Sequence, residues 1–117
     1  MAMMQGGGAE SFAIGKVRAL VRRPRRDDAQ KLLEQIAAHV LPILTQRCFR
    51  VRRLQEFFPT NPHLLGMNVN KGVKIYIRLR PANAPGTFFP FEALLETMLH
   101  ELTHMVRVGI EWQEHVY

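Results

Sequence analysis

Cysteine occurs once among the 117 residues, at Cys48, so no internal disulfide can form. That fits a reducing compartment or a fold that does without cross-links. No apolar run approaches the ~18 residues that a membrane-spanning helix needs. The opening residues Met1 to Glu10 lack the basic-then-apolar order of a secretory signal. No segment repeats, and the length fits one compact domain with no room for a second core. The expectation is a nuclear or cytoplasmic protein, neither secreted nor held in a membrane. With 47% apolar and 22% charged residues, the composition is that of a folding chain rather than a disordered one.

Acids are scarce where bases gather. The totals are 16 Lys+Arg against 10 Asp+Glu, a formal charge of +6. Residues 11 to 26 hold Lys16, Arg18, Arg22, Arg23, Arg25 and Arg26 without one acid. A second group is Arg47, Arg50, Arg52 and Arg53, and a third is Lys71, Lys74, Arg78 and Arg80; the three hold 14 of the 16 cations. Clustered cations suit a phosphate backbone, although a solvated basic face looks the same in sequence. Arg22, Arg23, Arg25, Arg26, Arg50, Arg52, Lys74, Arg78 and Arg80 are the candidates for contact with nucleic acid.

Residues 1–10, with three consecutive glycines, read as a disordered leader. Phe12 to Val21 reads as one or two short extended pieces, ended by Pro24. Asp27 is placed to cap a helix, and Gln30 stands where a capping box needs it. Ala29, Leu32, Leu33, Ile36, Ala37, Val40, Ile43 and Leu44 then mark a buried helical stripe. Pro42 predicts a kink or a shortened last turn, and His39, beside the stripe, reads as an ordinary helix residue. Three strands follow: one at Phe49 and Val51, one over Leu64 to Asn70, and one over Val73 to Arg80. In the last, Val73, Ile75, Ile77 and Leu79 alternate with Lys74, Tyr76, Arg78 and Arg80, which predicts one core face and one basic face. Asn70-Lys71-Gly72 has the chemistry of a hairpin turn. Phe91 opens a second helix whose expected stripe is Leu95, Met98, Leu99, Leu102 and Val106. Phe57, Phe58, Phe88 and Phe89 read as core or loop anchors. The order β-α-β-β-β-α predicts an α+β domain, two helices packed on a small mixed or antiparallel sheet.

The second helix carries His100-Glu101-Leu102-Thr103-His104. This is the H-E-x-x-H pattern, in which two histidines one turn apart face a common point. A zinc ion fits there with bonds of ~2.0–2.1 Å. Such an ion acidifies its water, and Glu101 stands where it can take that water's proton and pass it to a leaving amine. The chain's own frequencies of histidine and acid give only about 0.02 chance matches to the pattern.

FAIGKVRAL, DDAQKLLEQIAAHVLPIL, FRVRRLQEFFPTNPHLLGMNVNKGVKIYIRLRP and FFPFEALLETMLHELTHMVR, in that order, resemble the WLM domain. This is the Wss-like metalloprotease group, related to the SprT/Spartan proteases. The resemblance runs from about Phe12 to Arg107, and PTNPHLLGMNVNKG and TMLHELTH are its most specific parts. It implies a zincin-like α+β fold, zinc held by His100 and His104, and Glu101 as the catalytic acid/base. It further implies cleavage of proteins crosslinked to DNA, activation by DNA, and a link to SUMO or ubiquitin. In zincins an edge strand holds the substrate backbone, and the basic strand Val73 to Arg80 is the candidate for that cleft wall.

The pattern then departs. The family continues H-E-L-x-H-x-x-x-G-P-H, whereas Ile110 stands six residues after His104, at the third ligand position. Residues 11–107 thus read as the N-terminal part of a WLM metalloprotease domain whose C-terminal part is missing, and 108–117 as a divergent tail. Substitute ligands in that tail are Glu111, Glu114 and His115, and Trp112 is expected to cover apolar surface. Two readings follow: a zinc-dependent metalloprotease domain short of one ligand, or a non-catalytic basic remnant that binds DNA or another partner.

Overall fold

The computed structural model describes residues 13–106 and 112–116. The leader read over residues 1–10 therefore lies outside the described residues. Strand β1 (Ile14–Arg18) leads into helix α1 (Arg26–Arg47), followed by β2 (Val51–Glu56), β3 (Leu64–Val69) and β4 (Lys74–Ile77). Helix α2 (Phe91–Thr103), a single 3-10 turn (His104–Val106) and strand β5 (Trp112–Val116) complete the order. The sheet is mixed, in the order β1-β2-β4-β3-β5. β1, β2 and β4 run parallel, and β3 is antiparallel to both β4 and β5. The α+β expectation holds, with a fifth strand that the sequence pattern had left as tail.

Both helices pack on one side of the sheet, α1 over β1 and β2 and α2 over β3, β4 and β5. Ala29, Leu33, Ile36, Val40 and Leu44 of α1 meet Leu54, Ile75 and Ile77 of the sheet and Leu94, Met98 and Leu102 of α2 in one core. The expected α1 stripe is present, narrowed because Ile43 is 36% exposed. His39 sits on the exposed side with its ring edge-on to Phe91, 4.9 Å between centroids. Among the described residues no helix is long and apolar enough to cross a membrane.

The ends of α1 differ from expectation. The helix begins at Arg26 after Arg25 in the left-handed region (φ 57°), with no side-chain cap. Asp27 and Asp28 occupy the first turn, where they suit the helix dipole. Gln30 forms no capping box. Its amide instead closes the end of β1, donating to the Val17 carbonyl at 2.8 Å and accepting from the Ala19 N–H at 2.8 Å. Those strand-end groups have no neighbouring strand to satisfy them, which is why the amide is drawn there. Pro42 lies inside the helix, which nevertheless runs to Arg47. It closes on Cys48 in the left-handed region, with the Phe49 N–H bonded to the Leu44 carbonyl at 2.9 Å.

The strand over Val73 to Arg80 requires a larger correction. It pairs only from Lys74 to Ile77, and it lies inside the sheet between β2 and β3 rather than at an edge. Arg78 and Arg80 do not form a basic face: both are buried, at 1% and 0% exposure. Arg78 donates to the carbonyls of Leu64 (3.0 Å), Pro59 (2.7 Å) and Asn61 (3.1 Å), fastening the 59–64 loop. Arg80 pairs with the buried Glu56 at 2.6 Å and donates to the carbonyls of Pro24 and Pro85. The other Glu56 oxygen accepts the Leu20 N–H at 3.0 Å. Buried guanidinium groups need such partners, and here the loops at the C-terminal ends of the parallel strands supply them. Phe58 and Phe88 act as the expected anchors, with Arg23 and Arg78 over the first ring and Arg25 and Arg80 over the second.

Removing Arg80 would leave the Glu56 carboxylate buried without its cation. Arg80→Leu is expected to cost about 3–5 kcal/mol in urea unfolding. The double variant Glu56→Leu/Arg80→Leu is expected to lose clearly less than the sum of the single variants. Additive losses would show that the pair is not coupled.

Candidate metal centre

Helix α2 begins after Pro90, whose extended backbone (φ −57°, ψ 148°) feeds the first turn, and Glu92 there suits the helix dipole. Its buried residues are Leu94, Thr97, Met98, Glu101 and Leu102. Met98 and Leu102 of the expected stripe are buried, whereas Leu95 is only half-buried, Leu99 is 38% exposed, and the Val106 side chain lies outside the described residues. The helix is turned so that Thr97 and Glu101 face the sheet. The cause is β3. At Gly66 a Cβ would stand 2.9 Å from Glu101 Oε2 and 2.9 Å from Thr97 Cγ2. Only a residue without a side chain leaves room for the Glu101 carboxyl there.

Glu101 is completely buried, and burial pushes its carboxyl up to about 8. Desolvation is the cause, because the charged form loses most on leaving water. A carboxyl poised there can hold and hand on a proton near neutral pH. His100 is exposed and His104 buried at 8%. The α-helix ends at Thr103, but His104 keeps a right-handed helical backbone (φ −70°, ψ −14°) as it enters the 3-10 turn. The one-turn spacing therefore survives, and the two rings approach to 5.0 Å between centroids at 83°. The structure thus brings the two histidines of the sequence motif together and buries Glu101 against β3 on the same helix.

Two residues that the sequence reading passed over hold this arrangement. One is Gly66; an isolated glycine in a strand was the available signal. The other is Asn68, buried on the same strand, whose Nδ2 donates to the Glu101 carbonyl at 2.9 Å while its Oδ1 accepts the Gly72 N–H at 2.8 Å. The end of α2 is thereby tied to the turn between β3 and β4. Beside His100 lies a cavity of about 780 Å³, walled by Leu65, Phe89, Thr97, Glu96 and Pro81.

The remaining candidates divide. In the tail, β5 sets His115 opposite Gly66 and Glu114 opposite Met67 in the backbone register. Glu111, and the side chains of Glu114, His115 and Trp112, lie outside the described residues. Among the described residues no three histidine, cysteine or acidic side chains are grouped to hold a metal. Of the basic candidates, Arg22 and Arg25 are exposed before α1 and Arg26 at its first position, with Arg23 half-buried beside them. Arg50 and Arg52 are exposed at the opposite end of the sheet, where β2 begins. Lys74 is half-buried in β4, and Arg78 and Arg80 belong to the interior.

A family model described as WLM domain matches residues 12–109. The DNA-dependent metalloprotease WSS1 of Saccharomyces cerevisiae is 45% identical over 91 residues, covering 78% of this chain and 34% of the yeast protein. The DNA-dependent metalloprotease WSS1 homolog of Schizosaccharomyces pombe is 37% identical over 79 residues, 68% of this chain and 29% of that one. The chain thus spans about a third of the length of these curated relatives. The crystal structure of Wss1 from Saccharomyces cerevisiae shares the fold at a TM-score of 0.80 and 41% identity, covering 85% of this chain and 77% of the other. Wss1 from S. pombe follows at 0.69 and 31%, covering 85% and 79%. From the H-E-x-x-H helix to the strand packed under it, the matched span takes in the whole of the site, and the chain belongs to the WLM-domain family.

Proposed function

We propose that this chain is the motif-bearing part of a zinc metalloprotease domain that hydrolyses peptide bonds in proteins bound or crosslinked to DNA. The observation that carries the reading is the convergence of His100 and His104 beside a buried Glu101. The two imidazoles fit two of the ligand positions of a catalytic zinc, which ordinarily takes three protein ligands. Zinc, when bound, supplies Lewis acidity to water at the site. Everything else is work for the protein's own groups. Glu101, in its ionised form, accepts a proton from the attacking water and returns it to the leaving nitrogen. Asn68 and Gly66 fix the height and rotation of the helix that carries it. The names of the similar yeast proteins support DNA as partner. The resemblance read from the sequence supports a nuclear site of action and a link to SUMO or ubiquitin.

A second reading is a non-catalytic remnant that binds DNA through its exposed arginines. The observation that favours it is Ile110 at the third ligand position. Elemental analysis and a protease assay on a DNA-bound protein separate the two. Under the first reading the chain holds one zinc, which His104→Ala removes. Glu101→Gln keeps the zinc and lowers cleavage at least ~100-fold, the scale of a lost general base. A chain without zinc that fails to cleave, yet binds DNA in a salt-sensitive way, establishes the remnant.

The close approach of β3 gives a second test. Gly66→Ala is expected to cost about 1–3 kcal/mol in thermal unfolding, as overpacking does. It is further expected to reduce cleavage while zinc content holds, because the new methyl must move the Glu101 carboxyl and leaves both imidazoles in place. Unchanged cleavage would show that the strand does not position the base.

A further inference from the structure

We propose that the face of the sheet turned away from both helices is a binding surface for single-stranded nucleic acid. Two rows cross the strands in register. Beyond the buried Ile14–Val51 pair, Lys16 of β1 stands beside Arg53 of β2, and Arg53 beside Lys74 of β4. The next row on that face is Arg18, Gln55, Tyr76 and Met67. The alternate residues Leu54, Ile75 and Ile77 point into the core under the helices, so these rows point the other way. Lys16, Arg18 and Arg53 are exposed, and Lys74, Gln55 and Tyr76 half-buried.

Like charges directly opposite one another destabilise a sheet, and this one sets three cations side by side at a strand spacing of about 4.8 Å. Among the described residues none of Lys16, Arg18, Arg53 and Lys74 takes part in an ion pair. No acid stands in either row on β1, β2, β4 or β3. Glu114 enters the second row in register only on β5, at the far edge. Asp27, Asp28, Glu34, Glu92 and Glu96 all belong to the helices, on the other side of the sheet. An arrangement that repels itself and, among the described residues, has no counter-charge has the character of an anion-binding surface.

The second observation is aromatic. Phe57 and Tyr76 stack on this face, 5.2 Å between centroids and 20° between planes, and both rings are half-buried. A sheet face with cations tracking a backbone beside a half-exposed ring is the combination that holds unpaired bases. A duplex keeps its base faces stacked within itself and has no use for the ring. The surface deepens the DNA-dependent part of the proposed function, yet its binding requires neither zinc nor cleavage.

Fluorescence anisotropy with a labelled oligo-dT, on the full chain carrying Glu101→Gln and in chelator, tests it apart from catalysis. The triple variant Lys16→Gln/Arg53→Gln/Lys74→Gln is expected to bind at least ~10-fold more weakly, with the slope of log affinity on log salt reduced by about 2. Tyr76→Leu, which keeps an apolar side chain, is expected to lose about 10-fold with the salt slope unchanged. Arg22→Gln/Arg25→Gln/Arg26→Gln is expected to bind as the parent does. A cooperative thermal transition in each variant shows that a loss is not unfolding. The proposal is overturned if the parent does not bind the oligonucleotide, or if a duplex of equal length binds tighter. It is equally overturned if only the Arg22/Arg25/Arg26 variant loses affinity, or if phosphatidylserine vesicles bind in place of the oligonucleotide.

Discussion

A carboxyl group buried under a strand is the constraint on which the rest of the site depends. Glu101 reaches the sheet only where Gly66 has no side chain. Turning that edge of α2 inward also determines the histidines: His100, one residue earlier, is carried outward, and His104, three residues later, stays buried at the helix end. An apolar stripe led by Leu95 and Leu99 would have packed the helix more conventionally and put the acid in water, at an ordinary carboxylate pKa. The observed rotation trades some apolar burial, visible in Leu99, for a desolvated acid beside two imidazoles. Such departures from simple patterning concentrate at functional sites. Asn68 makes the choice rigid, because its amide joins the end of α2 to the β3–β4 turn through two buried hydrogen bonds.

Basic residues serve two unrelated purposes in this chain, and burial sorts them. Arg78 and Arg80 are internal struts: six main-chain carbonyls and the Glu56 carboxylate receive their donors. The loops they gather, at residues 59–64 and 81–89, also wall the cavity next to His100. Exposed cations are split among the β1–α1 turn, the outer side and end of α1, the start of β2, the β3–β4 turn and the open face of the sheet. Net charge therefore overstates what is free to meet a phosphate.

Much of this was legible in the sequence. The α1 stripe, the hairpin around Asn70-Lys71-Gly72 and the H-E-x-x-H helix were all placed by periodicity and local chemistry. What failed did so for identifiable reasons. Alternation over Val73 to Arg80 has the period of a half-exposed strand, and nothing local reveals that loops will wrap the last arginines. The expected α2 stripe holds at Met98 and Leu102, whereas the partner strand, through one glycine, selects Glu101 over Leu95 and Leu99. Gln30 matched a capping position but found unsatisfied strand-end groups closer to hand. Each miss is a tertiary contact overruling a local preference.

The tail shows the same principle from the other side. The family match ends at residue 109, yet residues 112–116 add a strand to the open edge of β3, the strand that carries both Gly66 and Asn68. An unpaired edge at that place would present free N–H and C=O groups directly beside the site, and such an edge invites another extended chain. With β5 in place those groups are satisfied within the molecule, and the residue opposite Gly66 is His115. A peptide approaching His100 and His104 along this side meets β5 as the outer strand and must displace it, pair with its outer edge or bind through side chains at the cavity mouth. The strand that the family pattern does not explain thus stands at the one sheet edge adjoining the chemistry, and access to that edge is governed by how firmly its backbone pairs.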